Sequence, residues 1–401
     1  VFVQSGFNTA LIQKKDADEV DFSSVLYLSL CVAGLLYVFL FFVSPSIAGF
    51  YREPQLVPVL RVLSIILFFG ALNSVQNAFV ARNMMFKKLF FSSLGAILVS
   101  GTIGIVAAYA GLGVWALVAQ QLANSLSISV ILWFTVKWRP ILAFSIEKVK
   151  RLFSYGSKLL ASSLIDTLYR DLRSLIIGRV YNPTMLGFYN RGKQFPAVIV
   201  NNINGSIQSV MLPALSLHQD DRKRVKDMVR RSIVTSSFII FPMMMGLAVV
   251  AEPVVEIVLT DKWLPAVPFL QIYCMSYALW PIHTANLQAI NALGRSDIFL
   301  KLEIIKKAVG LVILGISIPF GIYAMAWGGL LSGVISTFIN AYPNQKLLDY
   351  SYKEQWKDIA PSLFISLIMG TVVYSLSYLA FDVWQTLILQ VAVGVILYLG
   401  I

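Results

Sequence analysis

Long apolar runs follow one another along the chain, and each is about as long as a helix that crosses a bilayer. Such a helix needs roughly 20 predominantly apolar residues, and the runs here are bounded by charged or turn-forming clusters. They are too continuous for the roughly ten-residue alternating strands of a membrane barrel. The pattern predicts an all-α, polytopic membrane protein whose complete spans are 23–50, 55–81, 89–110, 112–136, 152–177, 185–215, 232–259, 265–292, 299–320, 322–341 and 359–381.

The two ends of the chain have the same apolar character. Residues 1–12 are typical of the tail of an earlier helix, and residues 383–401 are typical of one more helix, cut at or near its end. We therefore expect the chain to be truncated at both ends.

The composition excludes a soluble protein. Apolar residues make up 58% of the chain and charged residues 13%, against about 45–50% and about 25% in soluble domains. Little chain remains outside the spans, so we expect no soluble catalytic domain and no enzyme.

The basic residues lie mainly in alternate connections. Most of the 32 Lys and Arg residues fall near 14–15, 82–88, 137–151, 222–231, 295–301 and 346–357, whereas the other connections contain only Arg52, Arg179 and Lys262. Under the positive-inside rule, the basic connections lie in the cytoplasm. This distribution also accounts for the net charge of +12 without a nucleic-acid partner.

A weak internal repeat indicates two similar halves. An offset of 210 residues places Val57, Pro58 and Leu60 on Val267, Pro268 and Leu270. A unit of six spans relates the halves by an axis along the membrane normal, as in several transporters. We expect two parallel six-helix lobes around a central cavity, with an N-terminal lobe at 1–148, a C-terminal lobe at 149–348 and additional helices at 349–401.

Charged residues inside the predicted spans mark a candidate substrate site. At 100° per residue, Lys158, Asp166, Arg170 and Arg173 share one third of a helix circumference. Charges at membrane depth cost at least about 2.5–3.5 kcal/mol each and usually face a cavity or a partner. The excess of bases predicts a water-filled cavity for an anion, and the alternative is an internal ion-pair network that ties helices together.

Two further helices extend this basic set. Arg191 and Lys193 lie on the next predicted span, and Lys306 and Lys307 lie near Glu303 on a later one. Arg and Lys bind phosphate well, Arg through a bidentate fork and Lys as a point charge. A local ion pair with Glu303 would account for one of the two later lysines only.

No cofactor or metal is predicted. Cys31 and Cys274 lie in apolar runs without the paired Cys or His spacing of a metal site. The stretch 187–194 is similar to a phosphate-binding loop, but Gln194 replaces the Ser or Thr that would hold magnesium.

Several segments in combination resemble a known family. They are SGFNTALIQK at 5–14, GVWALVAQQ at 113–121, IGR at 177–179, LGFYNR at 186–191, MLPAL at 211–215 and QDD at 219–221. The chain resembles the Wzx-type polysaccharide flippases of the multidrug/oligosaccharidyl-lipid/polysaccharide exporter superfamily.

This resemblance implies a bacterial inner-membrane protein that moves an undecaprenyl-pyrophosphate-linked oligosaccharide to the periplasmic leaflet by alternating access. It also implies membrane lipids and polysaccharide polymerase machinery as partners, and a chain that lacks the first helix and most of the second. Arg170 and Arg191 match positions where the family often has a base, whereas Arg173 stands where we expect an acid. That departure makes the predicted cavity more basic.

Three other functions compete with this one. A multidrug or cation antiporter of the same superfamily should show unpaired acids in its spans, but bases dominate here. A membrane glycan polymerase or ligase would usually need a large outward loop, and the outward connections, such as 51–54 and 260–264, are short. A purely structural membrane scaffold would leave the basic stripe without a purpose.

Overall fold

A computed structural model describes Leu11 and residues 18–83, 85–218, 220–379 and 382–400. Every long element among these residues is an α-helix, and no strand occurs among them. The all-α prediction is confirmed. The predicted helix tail at 1–12 lies outside the described residues except for Leu11.

Fifteen α-helices are described, and they reproduce the predicted spans closely. They are α1 (Glu19–Tyr51), α2 (Leu56–Leu63), α3 (Ile66–Arg82), α4 (Phe86–Tyr109), α5 (Val114–Thr135), α6 (Ile146–Val180), α7 (Pro183–Ser216), α8 (Arg222–Val249), α9 (Ala251–Leu259), α10 (Val267–Ala278), α11 (Trp280–Ala292), α12 (Ser296–Ser317), α13 (Ile322–Leu347), α14 (Tyr352–Ser375) and α15 (Val383–Gly400).

Eight helical segments of the described chain are long and apolar enough to cross a membrane. They are Glu19–Tyr51, Leu56–Val80, Lys87–Tyr109, Val114–Thr135, Arg222–Val249, Ile322–Leu347, Tyr352–Leu379 and Val383–Gly400. The other predicted spans correspond to α6, α7, α12 and the pair α10–α11, which are helical but fall outside this group. Of these, α12 contains several charged residues, and α10–α11 is divided into two short helices.

Proline removes a helical hydrogen bond inside α1 without ending the helix. Pro45 lies inside α1 and has no N–H for the carbonyl of Phe41 one turn earlier. The Ser44 hydroxyl donates to that carbonyl at 2.9 Å, and Arg61 Nε donates to it at 3.3 Å. The guanidinium carbon of Arg61 also lies 4.1 Å from the centre of the Phe41 ring. These contacts with Phe41 account for the presence of Arg61, a charged residue, inside a predicted span.

The chain divides into two compact units, Val1–Leu172 and Arg173–Ile401, and the boundary falls within α6. In the first unit, Phe79 stacks on Trp138 with ring centres 6.2 Å apart, and Phe22 contacts both rings. The predicted lobe boundaries at 148/149 and 348/349, and the cavity between two lobes, stay predictions.

In the second unit, polar contacts join the start of α8 to the start of α14. Arg230 forms an ion pair with Asp358 at 2.6 Å, and the Tyr350 hydroxyl donates to the same carboxylate at 2.8 Å. Burial, followed by the neighbouring Asp358 carboxylate, raises the pKa of Tyr350, which keeps its hydroxyl protonated as a donor. The Tyr350 side chain is fully buried. Its hydrogen bond to Asp358 and the Arg230–Asp358 ion pair hold α8 and α14 together at the end that we predict to be cytoplasmic.

Candidate functional site

The predicted basic stripe lies on one continuous helix, α6, as expected. The side chains of Lys158 and Asp166 lie outside the described residues. Arg170 is exposed and has no ion pair with the described part of the chain. No carboxylate of that part of the chain therefore balances its charge.

Arg173, one turn further along α6, has a different environment. It is partly buried, and its guanidinium lies beside the hydroxyls of Tyr189 and Tyr273. A Cβ atom added to Gly329 would lie 2.5 Å from its Nη1 atom, so the glycine permits a close approach. Arg173 Nε is buried without an acceptor in the described structure. Protein groups thus enclose this charge, with no carboxylate beside it among the described residues.

The two tyrosines that contact Arg173 form a buried pair. Tyr189 on α7 is 1% exposed, Tyr273 on α10 is 7% exposed, and their hydroxyls share a hydrogen bond. The Tyr189 ring also meets Phe269 edge-on, with ring centres 5.8 Å apart. Buried tyrosine hydroxyls usually have a hydrogen-bond partner, and here each hydroxyl is the partner of the other. Both hydroxyl oxygens also lie next to the Arg173 guanidinium.

Gly192 brings α7 against the start of α10. A Cβ atom added there would lie 2.7 Å from both the backbone nitrogen of Leu270 and Cβ of Phe269, and 2.8 Å from the carbonyl oxygen of Ala266. Real Cβ contacts are essentially never this short, so the approach requires glycine. Tyr189 and Gly192 therefore define a packing face of α7.

The opposite face of α7 presents Asn190, Arg191 and Gln194, which are all exposed. Arg191 Nη1 donates to Gln194 Oε1 at 2.8 Å, and its guanidinium carbon lies 5.7 Å from the centre of the Trp263 ring. Phe188 meets the same indole edge-on at 5.7 Å. Arg191 has no carboxylate partner in the described chain, so its charge remains available to an anion.

The remaining predicted residues are engaged with other groups. Lys193 and Lys307 are partly buried and interact within the protein. Lys306 Nζ forms an ion pair with Glu303 at 2.5 Å. The local ion pair considered from the sequence is thus present for Lys306.

Several residues of these sites were absent from the sequence prediction. Tyr189, Trp263 and Tyr273 surround the arginines, and Thr337 and Asn340 bind His283 near Lys306. The spacing of Phe269, Tyr273 and Tyr277 at every fourth position of α10 was a signal for one aromatic face. Nothing in the spacing indicates which arginine that face would meet.

Comparison with known proteins adds independent findings. A family model described as polysaccharide biosynthesis protein matches residues 1–268. The teichuronic acid biosynthesis protein TuaB of Bacillus subtilis (strain 168) is 24% identical over 406 residues, which cover 100% of this chain and 84% of that protein. The lipopolysaccharide biosynthesis protein WzxC of Escherichia coli (strain K12) is 24% identical and covers 92% of this chain and 76% of its own.

Solved structures show the same fold at low identity. The lipid II flippase MurJ, in an inward closed conformation, has a TM-score of 0.80 at 16% identity and covers 100% of this chain and 87% of its own. A multidrug resistance transporter of the MATE family, in an inward-facing conformation, has a TM-score of 0.64 at 15% identity and covers 87% of each chain. The chain therefore has the fold of multidrug/oligosaccharidyl-lipid/polysaccharide exporters.

Proposed function

Because the chain belongs to the family of polysaccharide biosynthesis proteins, we propose that it flips an undecaprenyl-pyrophosphate-linked oligosaccharide across the bacterial inner membrane. The diphosphate is the anionic part of this substrate. Basic side chains within the membrane bind it, while the polyprenyl tail stays in the lipid. Membrane lipids and polysaccharide polymerase machinery are the other partners that we propose.

The observation that carries this proposal is the state of Arg170 and Arg191. Both are exposed arginines on predicted membrane helices, and neither has an ion pair with the described residues. A charge that is costly at membrane depth is expected to have a function, and guanidinium groups suit phosphate oxygens. We propose Lys158, Asp166, Lys193, Lys306 and Lys307 as further members of the substrate-binding set. For Arg173, which Tyr189 and Tyr273 contact, we propose a packing role in place of the substrate contact predicted from the sequence.

Reconstitution into liposomes tests this function. The full chain would be mixed with a fluorescent short-chain polyprenyl diphosphate oligosaccharide, and a membrane-impermeant quencher would report how much of the lipid is exposed outside. We expect the fraction that the quencher reaches to rise above the half that lies in the outer leaflet. A fluorescent lipid of the same tail with a neutral head is the matched control and should stay in its leaflet. Equal flipping of both lipids, or of neither, would contradict the proposal.

The proposed orientation has a separate test. In a background with Cys31 and Cys274 replaced by Ser, single cysteines would be placed at the exposed positions Asp220 and Asp261. We expect an impermeant thiol reagent added to intact cells to label the cysteine at 261 and not the one at 220, since the basic connections lie inside. Labelling of position 220 from outside would reverse the topology.

A further inference from the structure

Contacts with α1 hold the guanidinium of Arg61, the only charged residue of α2. Its Nε atom donates to the carbonyl of Phe41 at 3.3 Å and to the hydroxyl oxygen of Ser44 at 3.2 Å. Its carbon atom lies 4.1 Å from the centre of the Phe41 ring, so the ring covers one face of the group. The Phe41 carbonyl accepts from the guanidinium because Pro45 has no N–H to donate to it. The guanidinium is thus held in one orientation by contacts at Nε and at one face.

The other two nitrogens of this guanidinium have no acceptor. Neither Nη1 nor Nη2 has a hydrogen-bond partner within the described part of the chain, and neither is a buried atom. An arginine carries five N–H donors in a rigid planar fork, and the contacts with α1 use only the one on Nε. The end of the fork therefore presents two parallel N–H groups, which match two oxygen atoms of a carboxylate or a phosphate.

No carboxylate of the described residues balances the charge of Arg61. The main helices packed on α2 are α1 and α5. The sequence of α5 has no charged residue, and the only charged residues of α1 are Glu19 and Asp21 in its first turn, far along the helix from Phe41. Glu53, in the connection before α2, forms no ion pair with Arg61. Since a charge inside a membrane protein usually has a partner, an external anion is the expected one.

The position of Arg61 along its helix indicates which anions reach it. It lies near the end of α2 that follows the connection 51–54, which the distribution of basic residues predicts to face outward. From Leu56, the first residue of α2, the backbone rises about 8 Å to Arg61. The headgroup layer on each side of the hydrocarbon core is roughly 5–8 Å thick, and a long arginine side chain near a helix end extends toward it. The open fork is therefore at the depth of lipid phosphate groups.

We propose that Arg61 binds a lipid phosphate group at the outward end of the first unit. Two lipids supply this chemistry, which are the phospholipid of the outward leaflet and the diphosphate lipid once it has crossed. The site itself needs no flipping, but its use by the diphosphate lipid rests on the proposed function. In that use, Arg61 holds the diphosphate on the side where the lipid is released. Binding forms hydrogen bonds and an ion pair, and no covalent bond changes.

Native mass spectrometry of the full chain in detergent tests this inference. Three lipids would be added separately: the short-chain polyprenyl diphosphate oligosaccharide, phosphatidylglycerol, and a diacylglycerol that lacks phosphate. We expect the parent to retain one more phosphate-bearing lipid than Arg61→Gln, and both to retain equal amounts of diacylglycerol. The glutamine amide still donates to the Phe41 carbonyl, so the variant keeps the contact between the helices. A difference with the diphosphate lipid identifies the transported lipid as the ligand, and a difference with phosphatidylglycerol alone identifies the phospholipid.

The chain offers a matched control in Arg52, which is exposed at the same end of the first unit and is not held by Phe41. Arg52→Gln should retain as many phosphate-bearing lipids as the parent. Arg61→Lys keeps the charge but loses the fork, so we expect its affinity for the phosphate-bearing lipid to fall about tenfold. This second variant also decides the question if Arg61→Gln does not fold.

Two outcomes separate this inference from the proposed function. Equal retention of both phosphate-bearing lipids by the parent and the Arg61 variants would overturn the inference, whether or not the parent flips the diphosphate lipid in liposomes. Absence of flipping by the parent would overturn the proposed function, and the phosphatidylglycerol measurement would still decide whether Arg61 binds a lipid phosphate.

Discussion

The two faces of α7 use the same short sequence in opposite ways. Tyr189 and Gly192 are buried against α10, where the tyrosine meets Arg173 and the glycine permits backbone contact. Asn190 and Arg191, between them in sequence, are exposed. This contrast predicts that one short motif of α7 combines a packing function with the ligand function that we propose, and that mutations separate the two.

The largest effect should come from the packing face. Gly192→Val places a side chain where even a Cβ atom would lie 2.7 Å from the backbone nitrogen of Leu270. Because backbone cannot move aside cheaply and overpacking commonly costs about 1–3 kcal/mol or more, we expect the amount of folded protein to fall about tenfold. Fluorescence-detected size-exclusion chromatography would measure it. Gly205→Ala, where no atom lies within 4 Å, is the control and should express normally.

The next effect belongs to the exposed face. Arg191→Ala should leave the amount of folded protein unchanged, because the guanidinium contacts only Gln194 and the Trp263 ring in the described structure. Flipping of the diphosphate lipid should fall about ten- to a hundredfold, as expected for the loss of a charged hydrogen bond worth about 1.5–3 kcal/mol. Lys262→Ala is the matched control, since Lys262 is also exposed. Parallel losses of protein and flipping would mean that Arg191 is structural.

A smaller effect separates charge from shape at the same position. Arg191→Lys keeps the charge but loses the bidentate fork and the flat group over Trp263. We expect flipping to fall about tenfold, which corresponds to about 1.4 kcal/mol, if two guanidinium nitrogens hold the diphosphate. Activity within about twofold of the parent would show that only the positive field matters.

The smallest effect should come from the enclosed arginine. Arg173→Met replaces a partly buried charge with an apolar chain of similar length, and because no described carboxylate lies beside Arg173, the exchange leaves no buried charge without its partner. The hydroxyls of Tyr189 and Tyr273 keep their mutual hydrogen bond. We expect flipping per folded molecule to stay within about threefold of the parent. A loss as large as that of Arg191→Ala would place Arg173 in contact with substrate and remove the contrast between the two faces.

Helix positions were largely predictable, whereas the environment of each charge was not. Residues 89–110 and 322–341 were predicted as spans, and the structure has Phe86–Tyr109 and Ile322–Leu347. The span predicted at 265–292 is a helix pair, because regular helical hydrogen bonding is interrupted at Leu279, two residues before Pro281, whose nitrogen cannot donate. Apolar runs report burial in lipid, but a helical wheel gives only the direction of a side chain. It placed Arg170 and Arg173 on one stripe and could not show that tyrosines enclose the second.

The all-helical membrane class, the family and the set of basic residues within the spans follow from the amino-acid sequence alone. These depend on local quantities: the length of an apolar run, the position of charges and short motifs. Three further facts become visible only in the folded chain. Arg191 is exposed beside Trp263, Arg173 lies against Tyr189 and Tyr273, and Lys306 forms an ion pair with Glu303. Whether a charge is satisfied depends on groups that other helices bring within a few ångströms, and those neighbours are remote in sequence.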